Sequence, residues 1–345
     1  MQFLRTPSTI RRLVFTIVAL LALVGLTFVL PPITNSTLTR GVTMLIAILG
    51  LNFLTGWSGQ VSLGNSGFMA VGAYGTAILL QHFSSLPIVV TMLIATLFGA
   101  LAGALVGLPA TRLRGPYLAG MTLAFGAAIS PLIQNLNGLT GGPSGMQLSA
   151  IPTAPNWLTH LRPAETTPIV LNAQWLAILS LVVAAVAMFL MANLQASRVG
   201  RAMRLVRDND VAAELVGLNL PQTRVTAFVV SAGYAGLAGS LMAYTQGAVS
   251  PQNFLVSLSI TMLSLMVLGG MGTLSGAVIG GVIYAYSDNL ITGLTNATGI
   301  DPISNFGSNL KNIFFGGLLI LTMLTAPRGI SGLVRSLLSK IRTPR

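Results

Sequence analysis

Residues 87–109, PIVVTMLIATLFGALAGALVGLP, run for 23 positions without one charged side chain. A bilayer's hydrocarbon core is about 30 Å thick, so a helix rising about 1.5 Å per residue crosses it in about 20 apolar residues. The same reading along the chain gives ten apolar runs, near 13–31, 41–57, 62–80, 87–109, 117–136, 173–194, 223–247, 257–270, 276–295 and 311–327. The first follows Arg5, Arg11 and Arg12 as a signal peptide would. It is long, however, and ends in Leu30-Pro31-Pro32 without a small-residue cleavage site, so a retained span is expected.

Composition points the same way. Of 345 residues, 53% are hydrophobic and 7% charged, whereas about a quarter of a soluble chain is charged. Mean hydropathy is +0.81. A soluble enzyme, a disordered chain and a coiled coil are excluded. The expected fold is an all-α polytopic membrane protein, one transmembrane domain over 1–345 with about ten spans.

The net charge of +12 would suggest nucleic acid in a soluble protein, but here it sorts by side. With ten spans, Arg5, Arg11, Arg12, Arg112, Arg114, Arg198, Arg201, Arg204, Arg207, Arg224, Arg328, Arg335, Lys340, Arg342 and Arg345 fall on one side, and only Arg40, Arg162 and Lys311 on the other. This positive-inside bias puts both termini in the cytoplasm and makes the charge a topology signal. No nucleic-acid partner is implied.

Catalytic chemistry is hard to place. There is no cysteine, and His82 and His160 make no metal pair. Neither Lys311 nor Lys340 sits in a phosphate-binding loop. No nucleophile–base pair or paired carboxylates can be set on one side of the membrane. Energy for uphill transport would have to enter from another protein.

Glycines recur at helical spacing as Gly99, Gly103 and Gly107, and again as Gly272, Gly276 and Gly280. Such stripes let helices approach closely. A faint internal echo pairs Gly56-x-x-Gly59-x-x-Ser62 with Gly269-x-x-Gly272-x-x-Ser275, which would make two parallel copies.

The cytoplasmic loop 197–224 reads SRVGRAMRLVRDNDVAAELVGLNLPQTR. Three of the chain's six acids, Asp208, Asp210 and Glu214, lie here beside Arg198, Arg201, Arg204 and Arg207. Asp210 is expected to cap a short helix through Val216, with Gly217 as its stop. Val211, Leu215 and Leu218 would form an apolar stripe suited to docking in a partner's groove. A solvated loop whose arginines only enforce topology is the alternative.

A polar cluster, Asn52, Gln60, Ser62, Asn65 and Ser66, lies where two apolar runs meet around Gly56, Gly59 and Gly64. A glycine-interrupted pair of this kind can be a broken helix lining a substrate path; a cytoplasmic turn with a polar cap is the plainer reading. Thr122, Gln134 and Asn135 are second-tier path residues. Asp288 stands about 18 Å along the ninth span, as a site for a substrate ammonium, a proton-linked carboxylate, or a hydrated interfacial acid. The outer loop 137–172 holds Thr140-Gly141-Gly142-Pro143-Ser144-Gly145, whose glycines mark turns, and Trp157 and Trp175 are candidate interface anchors. It would meet a binding protein or serve as a connector.

Ala212-Ala213-x-x-x-Gly217 resembles the E-A-A-x-x-x-G coupling loop of ABC importer permeases, with Val211 in place of the Glu. More specifically, GRAMRLVRDNDVAAELVGLN (200–219) followed by AFVVSAGYAGLAGSLMAY (227–244) resembles the branched-chain amino acid permease family, in its LivM-type subunit. GLNFLTGWSGQVSLGNSGFMAVGAY (50–74), LRGPYLAGMTLAFG (113–126), LTGGPSGM (139–146), SLSITMLSLMVLGGMGTLSGAVIGG (257–281) and PRGISGL (327–333) follow the family's order. The resemblance implies a bacterial inner-membrane import permease working with a homologous sister permease, two cytoplasmic ATPases and an extracytoplasmic solute-binding protein. ATP and Mg would be used by the ATPases, and no cofactor is expected on this chain. Segment 200–217 would be the coupling helix, with Arg201, Arg204, Asp208, Asp210, Ala212, Ala213, Glu214 and Gly217 as coupling residues. The family usually carries His where Asn65 stands, which bears on the substrate. Branched-chain amino acids lead, with urea or short amides, or a self-contained secondary transporter, as alternatives.

Overall fold

In a computed structural model of the chain, residues 7–113, 115–150, 153–155, 157–158, 168–298, 305–325 and 329–332 are described. Arg114, His160, Arg162, Arg328 and the basic residues at both ends, Arg5, Arg335, Lys340, Arg342 and Arg345, lie outside them. Asp288 and Lys311 sit on described helices, but their side chains lie outside the description.

Among the described residues the architecture is all-α apart from one two-residue ladder. The helices are α1 (Pro7–Val29), α2 (Pro32–Leu51), α3 (Asn65–His82), α4 (Ile88–Ala110), α5 (Pro116–Asn135), α6 (Pro168–Ala196), α7 (Arg198–Asp208), α8 (Asp210–Leu215), α9 (Leu220–Gln246), α10 (Val256–Gly269), α11 (Leu274–Thr298) and α12 (Asn305–Thr325). Every apolar run read from the sequence falls on one of them. Among the described residues, five segments are long and apolar enough to cross a membrane: Pro32–Trp57, Ile88–Ala110, Pro116–Asn135, Pro168–Ala196 and Leu220–Gln246. Shorter apolar helices, among them Val256–Gly269 and Leu274–Ser287, accompany them. The chain is a multi-pass helical membrane protein.

Glycine placement decides which helices are central. The apolar window of α2 is 78% buried and that of α9 is 61%, against 28% for α4. On α2, a Cβ at Gly41 would lie 2.9 Å from the Gly281 carbonyl oxygen of α11, and one at Gly50 would lie 2.7 Å from the Ser231 carbonyl oxygen of α9. No side chain fits at these crossings. Helices α2, α3 and α9 therefore pack backbone to backbone, with α4 on one flank and α6, α10 and α11 on the other.

The Gly99–Gly103–Gly107 stripe of α4 faces Phe228, Ala232 and Gly236 of α9. Opposite it, Leu93, Leu97, Leu101, Leu105 and Leu108 are exposed. A helix apolar on its outer face and small-residued on its inner face suits lipid outside and backbone contact inside. The second stripe divides: Gly276 and Gly280 belong to α11, whereas Gly272 lies in the turn before it with φ +75°.

The loop after α5 turns at Gly141, Gly142 and Gly145, all with positive φ. Met146–Gln147 then pairs antiparallel with Ala248–Val249 after α9, pinning the loop to the bundle. Trp157 and Trp175 meet edge to face at 6.0 Å.

Gly236→Leu is expected to lower the melting temperature in detergent sharply, because its Cβ would lie 2.7 Å from the Ala95 carbonyl oxygen and 3.0 Å from Gly99 Cα; overpacking costs about 1–3 kcal/mol or more. Gly25→Leu, where nothing lies within 4 Å, is the matched control. Its melting temperature should stay at the wild-type value.

Candidate functional site: a broken helix joined to a charged knob

Helix α2 does not end cleanly. Its last turn, Asn52–Trp57, is a π-helix, a widened turn that frees backbone groups from the usual ladder and recurs at functional positions. Gly59 follows with φ +73°, and residues 59–64 run without helix to the buried start of α3. Such irregular backbone is tolerated inside a membrane protein only where other groups satisfy it.

Here the partners can be named. The Leu63 amide donates to Thr122 Oγ1 of α5 at 3.0 Å, and the Gly64 amide to Ser62 Oγ at 3.4 Å. The Ser66 amide donates to Ser259 Oγ of α10 at 2.8 Å, and that hydroxyl donates in turn to Ser66 Oγ at 2.8 Å. Asn65 Nδ2 reaches Met262 Sδ at 3.4 Å and the Ala47 carbonyl at 3.5 Å. A Cβ at Gly64 would lie 2.6 Å from the Thr122 carbonyl oxygen, so α5 lies directly on this segment.

Within this broken segment, the buried acceptors Asn65 Oδ1 and Gln60 Oε1 have no partner among the described residues. Gln60 donates its Nε2 to Ser58 Oγ. Both residues are almost wholly buried, and an unpaired buried acceptor costs about 1–3 kcal/mol.

Asn52 has a different occupation. Its Oδ1 accepts from the Gly272 amide at 2.6 Å and its Nδ2 donates to the Thr273 carbonyl at 2.8 Å. Trp57 Nε1 donates to the Gly272 carbonyl at 2.9 Å. The turn ending α2 is thus fastened to the turn between α10 and α11. These are the two segments of the sequence echo, and the equivalent glycines, Gly59 and Gly272, share a left-handed conformation at φ +73° and +75°.

The knob is built from α7 and α8. Ser197 caps α7, accepting from the Gly200 amide. Asn209, rather than Asp210, caps α8, accepting from the Ala212 amide at 3.1 Å. Asp210 is instead drawn into an ion pair with Arg224 of α9 at 2.6 Å, so the neighbouring asparagine takes the capping role. The end of α8 matches expectation. The Leu218 amide donates to the Ala213 carbonyl at 3.0 Å, the Gly217 amide to the Glu214 carbonyl at 2.9 Å, and Gly217 has φ +82°, a Schellman stop.

Ala213 is buried with Val206 and Leu220, and Leu218 packs against them. Leu218 therefore leaves the predicted stripe and Val216 joins it. Val211, Leu215 and Val216 are 66%, 84% and 73% exposed. Glu214, Asp208 and Arg201 are exposed around this apolar tip, and Arg201 Nη1 donates to the Ala196 carbonyl at 3.0 Å.

The knob and the broken helix touch. Arg207 Nη1 donates to the Gly56 carbonyl, and the Arg204 guanidinium lies 4.8 Å over the Trp57 ring. Beside these contacts a cavity of about 520 Å³ is lined by Gln60, Val61, Pro116, Arg207, Asp208 and Asp210, among others. Gln134 and Asn135 bond within α5 instead. Sequence reading missed Trp57, Arg207, Arg224, Ser259 and Met262. The hydroxyl run Ser257, Ser259, Thr261, Ser264 in the 14-residue α10 was a usable signal.

The family model for the branched-chain amino acid transport system permease component matches residues 33–323, a span holding the broken helix, the paired turns and the knob. The chain belongs to this permease family. It is 31% identical over 344 residues to the high-affinity branched-chain amino acid transport system permease protein LivM of Escherichia coli K12, covering 95% of this chain and 77% of that one. The permease protein BraD of Pseudomonas aeruginosa is 28% identical over 305 residues, covering 86% and 93%. The probable permease protein LivH of Methanocaldococcus jannaschii is 34% identical over 137 residues, 39% of this chain and 41% of that one. No solved structure matches.

Within this permease, Ser259→Ala should strand the Ser66 amide and lower stability by about 1–3 kcal/mol, read as a reduced melting temperature in detergent. Ser259→Thr, which keeps the hydroxyl, should recover most of that loss.

Proposed function

We propose that the chain is the membrane-spanning permease subunit of an ATP-driven importer for branched-chain or related aliphatic amino acids. The observation that carries this is the knob: a capped, Schellman-stopped α8 whose Val211, Leu215 and Val216 stand in solvent amid charge. An apolar tip held rigid by the Asp210–Arg224 pair suits insertion into a groove on a cytoplasmic ATPase. With ten spans and both termini cytoplasmic, as the basic residues sort, the knob faces the compartment that holds ATP.

The complete importer adds a sister permease, two ATPases that bind ATP and Mg, and an extracytoplasmic solute-binding protein, all in a bacterial inner membrane. The partial likeness to permeases of the LivH name supports a homologous partner. In the path, the start of α3 suits a carboxylate, and the unpartnered Asn65 Oδ1 and Gln60 Oε1 suit an ammonium group. Phe68, Met69 and Met262 supply buried apolar surface nearby for a branched side chain.

Co-purification and reconstitution test the reading. Val211→Asp with Leu215→Asp should leave the permease folded but strip the ATPases from it, and uptake of labelled leucine into proteoliposomes should vanish. Wild-type permease alone in ATP-free liposomes should accumulate nothing. Uptake there would overturn the proposal.

A further inference from the structure

We infer that Arg207 is the positioning residue that carries movement of the α7–α8 knob to both glycine turns of the permease core, so that ATPase closure reaches the substrate path through one side chain. The inference rests on the knob's role as the ATPase dock.

The contacts converge on this residue. Arg207 belongs to α7, yet its Nη1 donates to the Gly56 carbonyl inside the π-helical turn that ends α2. Its aliphatic stem passes the first glycine turn so closely that a Cβ at Gly59 would sit 2.9 Å from Arg207 Cγ. Its Nη1 also lies 3.9 Å from where a Cβ would stand on Gly272, in the second turn. Both glycines are left-handed, so a side chain at either would be strained, and at Gly59 it would also be crowded by the arginine stem. The backbone of each turn leaves room for the arginine.

Beyond Arg207 the linkage is stiff. Asn52 and Trp57 tie the first turn to the backbone of Gly272 and Thr273. From the first turn the chain runs through Gln60 to the buried Asn65 and Ser66; from the second it enters α11. Displacing Arg207 must therefore move both turns together, because three hydrogen bonds oppose moving one alone. Arg204, stacked on Trp57 from the same face of the knob, reinforces the direction of pull but lacks a hydrogen bond to the core turn. A lysine at 207 would keep a charge and a donor but lose the planar, forked geometry.

The absence of cysteine from the chain makes a direct test practical. A spin label on Val61→Cys, an exposed position between Gly59 and the path residues, reports on the first turn in the assembled transporter. Arg207→Met keeps the packing against Gly59 while removing the hydrogen bond. With this variant the ATPases should still co-purify, leucine uptake should fall about tenfold, the loss expected for one charge-assisted hydrogen bond, and the change in the Val61 label on nucleotide trapping should disappear. Arg207→Lys should restore part of both signals. Should Arg207→Met fail to fold, Trp57→Phe, which keeps the ring under Arg204 but removes one of the three bonds between the turns, that to the Gly272 carbonyl, should leave the Val61 response intact while reducing that of a label on Thr273→Cys. Wild-type uptake and label response in Arg207→Met would overturn the inference, as would loss of the ATPases from that variant. If instead the Val211/Leu215 double variant keeps its ATPases, it is the docking reading that fails.

Discussion

In lipid, a backbone amide or carbonyl that leaves the helical ladder has no water to turn to, and the central feature of this permease is a break that meets that demand. Between Asn52 and Asn65 the chain departs from α-helix while surrounded by other helices. Thr122, Ser259 and Arg207 supply the missing partners from α5, α10 and α7. Each comes from a different element, so the break draws its support from three helices at once. The rest of the architecture follows from bringing them there, and the glycine crossings of α2, α3, α4 and α9 do so by letting backbones nearly touch.

That arrangement joins two regions with opposed physical needs. In the proposed function, the knob has to be rigid and wettable, with an apolar tip for a partner; the proposed path has to be buried, polar enough for a zwitterion, and able to change. Rigidity in the knob comes from local capping by Ser197 and Asn209 and from the Asp210–Arg224 pair. Adaptability in the path comes from a π-turn, left-handed glycines and acceptors left without partners. The bridge between them is short and charged at one end only. It is a single arginine and an arginine–tryptophan stack.

Much of this was legible in residue order. Apolar run length located the helices, since the bilayer sets their minimum length. The Gly99–Gly107 stripe announced a close helix crossing, and Gly217 announced the end of α8. The Asn52–Ser66 cluster announced a break. Where sequence reasoning went astray, a tertiary partner intervened: Asp210 was a sound N-cap until Arg224 claimed its carboxylate, and Leu218 fitted the outer stripe until Val206 and Ala213 offered it a pocket. Asn52 read as a path residue, and its side chain is fully engaged by the turn before α11.

The sequence by itself determined that this chain lives in lipid, where its helices lie, that it carries no nucleotide-binding loop, and that its charged loop ends in a capped apolar tip. These depend on composition and on spacing within one turn or two of helix, which are local properties. Only the tertiary structure decided that the two echoed glycine turns lie against each other, that Ser259 and Met262 complete the polar seam, and that Arg207 reaches the core. Those contacts join residues separated by 151 to 221 positions, and no local pattern records which distant backbone will approach closely enough to accept or donate a hydrogen bond.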